Sequence, residues 1–208
     1  MNEIIPIFPL NIVMYPGAKY PLHIFEERYK KMVRNSIFSG QGFGIVSKID
    51  LEISNIGCYV LVDKVVKQYE NGSMDIFVEG IERFEIITKS YNSEGYMEAA
   101  VVSYHDAPDE EKNMLSIQQA MVKFKDIINN TTIELEDSFW KNLEKSNFKS
   151  FKLAEKSGLN IKQQQNILAF QSENKRIKFL LEHFEKIESY LEESKAIREI
   201  IAGDGYIN

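Results

Sequence analysis

Few side chains in this sequence could do chemistry. The chain has three histidines, His23, His105 and His183, and one cysteine, Cys58. None of the histidines lies in H-E-x-x-H or another metal-binding spacing, and a lone cysteine excludes a zinc site built from thiolates. The sequence also lacks a G-x-S-x-G nucleophile elbow and a G-x-x-x-x-G-K-[ST] phosphate loop. We therefore predict that the chain is not an enzyme and binds no metal or cofactor.

The residues that look reactive have structural interpretations. Cys58 lies within an apolar run, where a cysteine is typically a small buried hydrophobe. Glu26 and Arg28 resemble an acid/base couple, but a carboxylate near a helix N-terminus favours the helix dipole. Arg28 is then expected to pair with Glu26 or with a strand carbonyl. His23 and Arg83 are likewise interpreted as structural, with Arg83 anchoring a strand end.

Two groups of residues are candidates for binding other proteins. Basic charge collects on the outer side of the first predicted helix, which is typical of a solvated face or of a patch that attracts acidic protein segments; its members are Arg28, Lys30, Lys31 and Arg34. The second group lies in a loop bounded by prolines. Its four successive apolar side chains cannot all face one core, so some of them are expected at the surface. It consists of Ile12, Val13, Met14 and Tyr15. A free sheet edge that accepts an extended peptide is a third candidate, but the sequence does not show which strand is free.

The charge of the chain argues against some classes of partner. The formal net charge is −6, and residues 1–104 and 105–208 each carry −3. An acidic chain without a basic half disfavours nucleic acid and anionic membrane. The N-terminus has no basic region followed by an apolar one, and no apolar run reaches about 18 residues. With a single cysteine, these features predict a cytoplasmic protein without a membrane span or an intramolecular disulfide.

The glycines divide the chain into two parts. Eight of the eleven glycines precede residue 96, which predicts turns and strands first and long helices afterwards. The composition changes near residues 105–108. We therefore predict a β-rich lobe of residues 1–106, a helical lobe of residues 107–201 and a frayed tail of residues 202–208.

The first half is predicted to form a small, strongly bent sheet. Residues 5–21 hold four of the five prolines and should be extended. A helix is predicted over residues 24–38, because Phe25, Tyr29, Met32, Val33 and Ile37 recur at helical spacing. Asn71-Gly72 predicts a hairpin with a type I′ turn. The predicted strands cover residues 3–8, 42–46, 56–69, 74–79, 81–88 and 96–104.

The second half is predicted to be a helical bundle that ends in a long helix. Helices are expected at residues 110–128, 134–145, 149–157 and 160–170, with a last helix that follows Ser172. Asn160 and Gln163 predict a capping box. One face of the last helix is apolar and is expected to pack in the bundle; it consists of Ile177, Leu180, Leu181, Phe184, Ile187 and Leu191. The helix predicted at residues 110–128 also has an apolar face, which consists of Met114, Ile117, Met121, Phe124 and Ile128.

Several motifs in order along the chain resemble one family. They are P-x-F-P-L, Y-P-G and P-L-H-I-F-E-x-R-Y near the start, Gly80-Ile81-Glu82-Arg83-Phe84 after a strand, and residues 162–180 near the end. This arrangement resembles the N-terminal domain of the Lon proteases, which binds substrate and also occurs in small proteins and in cereblon. The motif positions expected to be structural are Pro16, Gly17, Pro21, Leu22, Phe25, Glu26, Tyr29, Gly80, Arg83 and Phe84. The sequence departs from the family at Cys58 and at Ala169, Phe170 and Gln171.

The resemblance implies both a fold and a function. The fold would be α+β, with a PUA-like pseudo-barrel that contains one inserted helix, followed by the helical bundle; periodicity alone would not choose a barrel over a sandwich. The function would be to hold unfolded or specific polypeptide segments, with no unfolding or proteolysis by this chain because the ATPase phosphate loop and peptidase of Lon are absent. The alternatives are an adaptor that grips one folded partner, as cereblon implies, RNA binding, which the charge disfavours, and an unrecognised enzyme.

Overall fold

The computed structural model describes residues 3–107 and 111–203, with side chains through residue 198. Within these residues the strands are β1 (Glu3–Leu10), β2 (Lys19–Ile24), β3 (Phe43–Ile49), β4 (Glu52–Gln68), β5 (Met74–Tyr91) and β6 (Met97–Ser103). The helices are α1 (Glu27–Ser39), α2 (Met114–Asn129), α3 (Asp137–Lys145), α4 (Lys149–Ala154), α5 (Ile161–Ala169) and α6 (Glu173–Gly203). The chain forms two compact units, one of Met1–Pro108 with Gly158–Gln171 and one of Asp109–Ser157 with Ser172–Asn208.

The sheet of the first unit closes on itself. Its strand order is β2-β5-β4-β3-β1-β6, and β6 also pairs with β5, so five strands form a ring and β2 is added outside it. β1 and β3 are parallel, whereas the other pairs are antiparallel. Closure removes most free strand edges, and bulges in β4 and β5 help the long strands to bend. The predicted α+β pseudo-barrel with an inserted helix is confirmed.

Two of the predicted strands are one strand, and one strand was missed. Residues 74–79 and 81–88 both belong to β5, which runs without a break through Gly80. The missed strand is β2, and the helix predicted from residue 24 begins at Glu27 instead. Pro21 is compatible with β2 because this strand lies at the edge of the sheet and pairs only with β5.

The hairpin between β4 and β5 forms where Asn71-Gly72 predicted it, but its turn type differs. Tyr69 N–H donates to Ser73 O at 2.9 Å, and Gly72 N–H donates to Tyr69 O at 2.9 Å. Gly72 has a φ of 76°, whereas Asn71 has no positive φ. The expected type I′ turn, which needs two positive φ angles, is therefore wrong. The loop has three residues and ends in a left-handed glycine, another common hairpin connection.

Phe84 packs in the barrel against two glycines. Its ring reaches within 2.5 Å of the point where a Cβ would stand on either Gly44 or Gly57, one on β3 and the other on β4. The surrounding buried side chains include Ile7, Val46 and other residues of β1, β5 and β6. A side chain at either glycine would displace the ring, so these two glycines make room for the aromatic residue that fills the core.

The helix α5 belongs to the barrel unit. The buried Arg83 on β5 donates from Nη1 to Leu168 O and Phe170 O, both at 2.8 Å, and pairs through Nη2 with Asp106. Tyr104 donates its hydroxyl to Ala169 O at 2.8 Å. The prediction had divided the chain at residue 106 and left residues 158–171 in the helical lobe. Composition did not show that residues 158–171 pack with the barrel unit, because the contacts at residues 168–170 use main-chain carbonyls, which every residue type has.

The second unit is a bundle of α2, α3, α4 and α6. Ile177, Leu180 and Phe184 of α6 are fully buried, as the apolar stripe predicted. The buried Arg176 donates to Ser150 Oγ at 2.8 Å, and its guanidinium lies 4.4 Å from the Phe151 ring centroid. α2 begins at Met114, four residues later than predicted, and Met114 is exposed. α6 continues through Gly203, and the remainder of the predicted frayed tail lies outside the described residues.

The predicted helix caps are present. Asn160 Oδ1 accepts from the Gln163 amide at 3.0 Å, and Gln163 Oε1 accepts from the Asn160 amide at 2.9 Å, which completes the capping box. Ser172 Oγ accepts from the Lys175 amide at 3.0 Å at the start of α6. These side chains satisfy amides that the first turn of a helix leaves unpaired.

Candidate protein-binding surface

Arg28, the first member of the predicted basic patch, binds within its own unit. Its Nε and Nη2 donate to Glu26 Oε2 at 3.0 and 2.8 Å, and its Nη1 lies 3.5 Å from Gly95 O. The predicted partner Glu26 is present, whereas the carbonyl of Gly95 belongs to the β5–β6 turn and not to a strand as predicted. The hydrogen bond to Glu26 raises the pKa of Arg28, and the interaction is structural at this position.

The other basic residues of α1 differ in how free they are. Lys30 is buried, and its Nζ donates to Asn71 O at 2.8 Å and to Glu27 Oε1 at 2.6 Å. Arg34 is exposed and donates to Gly72 O at 3.3 Å. Lys31 is exposed, and its ammonium group has no hydrogen bond or ion pair within residues 3–107 and 111–198. Lys30 and Arg34 therefore hold α1 to the β4–β5 hairpin, while Lys31 and part of Arg34 face solvent.

The predicted apolar surface run is mostly interior. Val13, Met14 and Tyr15 are buried, and Ile12 alone is partly exposed. The Tyr15 hydroxyl donates to Gln164 O of α5 at 3.1 Å, so this loop is fixed inside the barrel unit. The expectation that part of the run lies at the surface is met only at Ile12, because the loop folds inward between the barrel and α5.

The glycines of the motif lock this loop to β5. Gly17 has a φ of 78° and donates its amide to Gly80 O at 2.8 Å, and the Gly80 amide donates to Ala18 O at 2.9 Å. A Cβ on Gly80 would stand 2.2 Å from Tyr15 O. Pro16 is partly exposed and enters this turn one residue before Gly17. These contacts fix the turn before β2 against β5.

The remaining motif residues divide between core and surface. Pro21 and Leu22 of β2 pair with Phe77 and Ile76 of β5. Tyr29 packs on Phe8 with ring centroids 4.1 Å apart. Phe25 had been placed in the apolar stripe of the helix. It lies instead between β2 and α1 and is 64% exposed, because the helix begins two residues later.

Phe25 extends an exposed aromatic cluster. Its ring stacks on His23 with centroids 5.9 Å apart, and His23 also meets the edge of Tyr69 at 5.9 Å. His23 Nδ1 lies 2.6 Å from Asp75 Oδ1, and the Tyr69 hydroxyl donates to Asp75 Oδ2 at 2.7 Å. The hydrogen bond with His23, and next that from Tyr69, hold the pKa of Asp75 below its ordinary value. His23 thus has the hydrogen-bonded structural place expected of it.

A groove of about 260 Å³ lies between the C-terminal end of α1 and β4. Exposed apolar side chains border it: Ile37 at 44%, Leu61 at 36% and Val65 at 44%. The neighbouring Phe38 of α1 is 95% exposed. We call these four residues the apolar rim. Apolar side chains gathered around a concave surface are typical of a contact site for another protein.

One edge of β4 is unpaired along this groove. β3 pairs with β4 only as far as Val60, where its partner is Phe43. Beyond Val60, β4 pairs with β5 alone among the described residues. Gly40 and Gln41 precede β3 in the chain but do not extend it along β4, and both residues line the groove.

Sequence reasoning missed the apolar rim. Ile37 was counted in the buried stripe of α1, and Leu61 and Val65 were read as part of a long apolar strand. A weak signal was available, since the predicted strand of residues 56–69 is much longer than the predicted strand of residues 42–46. Their exposure depends on which strand lies beside β4, and only the fold supplies that information.

The titratable groups show no reactive constellation within residues 3–107 and 111–198. Burial raises the pKa of the Cys58 thiol, so its reactive thiolate form is disfavoured. His183 Nε2 lies 2.7 Å from Ser157 O, a contact within the helical unit. No group of histidine, cysteine or acidic side chains in the described part of the chain could hold a metal ion. Among the same residues, no helix combines the length and apolar character needed to cross a bilayer.

Comparison with known proteins gave one consistent result. A family model described as the ATP-dependent protease La (LON) substrate-binding domain matches residues 4–186. The Lon protease of Cytophaga hutchinsonii is 23% identical over 223 residues, which cover 97% of this chain and 26% of that protein. The chain thus spans about a quarter of the length of that relative.

Solved structures with the same fold cover most of the chain. The crystal structure of a Lon N-terminal domain protein from Xanthomonas campestris has a TM-score of 0.66 at 24% identity and covers 86% of this chain and 97% of the neighbour. The N-terminal domain of the Mycobacterium avium complex Lon protease has a TM-score of 0.64 at 15% identity and covers 88% and 98%. At these identities the likeness establishes the fold.

Proposed function

This chain belongs to the Lon substrate-binding domain family, and from that premise we infer that it holds unfolded or specific polypeptide segments without transforming them. The matched model is a binding domain, and the matched residues span both units of the chain. We propose further that a separate ATP-dependent protease or chaperone acts on the segments it holds. Fold alone does not fix function, so the proposal also needs a surface of suitable chemistry.

The apolar rim is the observation that carries this proposal. Ile37, Phe38, Leu61 and Val65 are exposed beside one groove of the barrel unit. Unfolded polypeptides differ from folded ones chiefly by their exposed apolar side chains, which an apolar groove removes from water. The basic residues Lys31 and Arg34 lie on the same helix as Phe38 and would favour segments that also contain acidic residues.

The test is binding of a permanently unfolded protein. Reduced and carboxymethylated α-lactalbumin carrying a fluorophore should raise its anisotropy when the chain is added, and native α-lactalbumin should not. Ile37→Asp with Val65→Asp should weaken binding by about tenfold or more, since both residues line the groove and each change places a charge on an apolar contact. Leu51→Asp is the matched control, because Leu51 is 91% exposed at the β3–β4 turn and does not line the groove. Absence of binding by the unchanged chain would contradict the proposal.

An adaptor that grips one folded partner is the second candidate, and a feature of the helical unit favours it. A groove of about 560 Å³ lies between α2 and α6, lined in part by Leu115, Val122 and Leu181. Leu115 and Val122 are exposed two helical turns apart. Capture of one partner in fixed stoichiometry, lost on Val122→Asp and kept on Ile37→Asp, would favour the adaptor. Capture of many unrelated proteins, lost on Ile37→Asp, would favour substrate holding.

A further inference from the structure

We propose that the unpaired edge of β4 binds an extended segment by strand addition, with residues 61–65 as the main-chain template. This inference rests on the proposed function, since the segment would be part of the polypeptide that the chain holds. It adds the conformation of the bound segment, the main-chain groups that recognise it and its side-chain pattern. The occupant is a single extended stretch in which apolar residues alternate with acidic ones.

The first support is the position of the groove. β3 lies beside β4 from Glu52 to Val60 and ends at Phe43. A strand that continued the line of β3 past Phe43 would lie beside Leu61–Val65, and this is where the groove between α1 and β4 is found. A strand edge with no neighbour presents a row of N–H and C=O groups that another chain can pair with. The space and the main-chain groups thus coincide.

The second support is the contrast with the other free edge of the sheet. Among the residues that the structure describes, β2 pairs with β5 alone, so its outer side has no strand partner there. Pro21 lies at the middle of β2 and has no amide hydrogen to donate. Residues 61–65 contain no proline.

The third support is charge complementarity. Arg28 and Lys30 of α1 are already paired with Glu26 and Glu27, so the basic side chains near the edge that face solvent are Lys31, Arg34, Lys64 and Lys67. Asp63, the acidic side chain of residues 61–68, is itself paired with Lys19 at 2.9 Å. Lys64 and Lys67 lie over the rings of Phe77 and Tyr69 at 4.9 and 4.5 Å and are exposed. The surroundings of the edge are therefore positive and favour acidic residues in the bound segment.

The alternation follows from strand geometry. Successive side chains of an extended segment point to opposite faces. One set would contact the apolar rim, which Ile37, Phe38, Leu61 and Val65 form. The other set would face away from that rim, among the exposed basic groups of the hairpin and helix. A segment with apolar residues at every second position and acidic residues between them satisfies both surfaces.

The experiment uses three fluorescent ten-residue peptides of alternating valine and glutamate. One is unmodified, one is N-methylated at every valine, and one is N-methylated at every glutamate. An added strand donates to its partner only from alternate residues. We expect one methylated peptide to bind the full chain about as well as the unmodified one and the other to bind about tenfold more weakly or worse. Equal binding of the two methylated peptides would overturn the inference, because side-chain contacts alone would then explain recognition.

A protein variant tests the same edge from the other side. Leu61→Glu places a negative charge on the template and should weaken binding of the unmodified peptide by about tenfold, whereas Leu51→Glu should not. Bound peptide should also slow hydrogen exchange of those amides in residues 61–65 that do not face β5. If Leu61→Glu leaves peptide binding unchanged, the strand-addition inference is overturned. The proposed function still stands in that case, provided that the chain binds unfolded α-lactalbumin. If the chain binds neither peptide nor unfolded protein, both the inference and the proposed function are overturned.

Discussion

Arg83 is the buried charge on which the barrel unit depends most directly. It donates to two carbonyls at the C-terminal end of α5 and pairs with Asp106, while its guanidinium lies 5.2 Å from the Tyr104 ring centroid. Burying a charge is costly, and these partners together offset the cost. Removing one partner of such a pair lowers the free energy of unfolding by more than the pair contributes to it, because the remaining groups stay buried without a hydrogen-bond partner.

Arg83→Met should therefore lower the free energy of unfolding by about 3–5 kcal/mol. Asp106 and the carbonyls of Leu168 and Phe170 would lose a buried donor that water does not replace. Arg28→Met is the control, because its pair with Glu26 is exposed and should be worth less than about 1 kcal/mol. Urea unfolding followed by circular dichroism gives both values, and equal losses would contradict the structural role of Arg83.

Asp75 should make stability depend on pH in the acid range. Its pKa is lowered in the folded protein by His23 and Tyr69, so the unfolded chain binds more protons near the ordinary aspartate pKa of about 3.9. The stabilisation is present above that value and is lost as the pH falls through the lower folded pKa. Asp75→Asn should reduce the urea midpoint at pH 7, and the difference should vanish in strong acid. A difference in urea midpoint that persists in strong acid would show that the Asp75 carboxylate is not its cause. In a protein that carries His23→Ala, Asp75→Asn should lower the urea midpoint at pH 7 by less.

At the scale of elements, local pattern predicted most strands and helices because their signals lie within a few residues. The alternation of Met74, Ile76 and Val78 places every second side chain in the core. The capping box at Asn160 is likewise a local signal. Exposure in the candidate surface was not predictable in this way. Ile37 and Leu61 look like core residues until the end of β3 leaves the groove beside them uncovered.

The turn before β2 and the strand β5 are joined by a main-chain lock that a single substitution should break. The Gly17 and Gly80 amides donate across it at 2.8 and 2.9 Å, so neither segment can move away to admit a side chain. Gly80→Ala would place a Cβ 2.2 Å from Tyr15 O, and we expect a loss of more than about 3 kcal/mol. Gly95→Ala is the control, since its Cβ meets no atom within 4 Å and its φ of 83° should cost roughly 1–2 kcal/mol. Thermal unfolding ranks the two variants, and a smaller loss for Gly80→Ala would contradict the lock.

At the scale of the whole molecule, the chain is not divided where its composition changes. The glycine-rich part ends near residue 105, but residues 158–171 return to the barrel unit. Gln165 Nε2 donates to Ile56 O at 3.1 Å, and the Ala107 amide donates to Gln171 O at 2.9 Å. Such contacts join residues that are far apart in sequence, so a reading of local patterns does not detect them.

A shortened chain of residues 1–107 should therefore fold poorly although it contains all six strands. It lacks the acceptors of Arg83 at Leu168 and Phe170 and that of Tyr15 at Gln164. We expect collapsed amide dispersion in its NMR spectrum. Joining residues 158–171 to Ala107 through a glycine-serine linker of about ten residues, long enough to span α5, should restore dispersed signals. The same linked chain with Arg83→Met should lose them again, since the restored carbonyls would have no donor. A dispersed spectrum from residues 1–107 alone would show instead that the six strands suffice and that α5 only covers them.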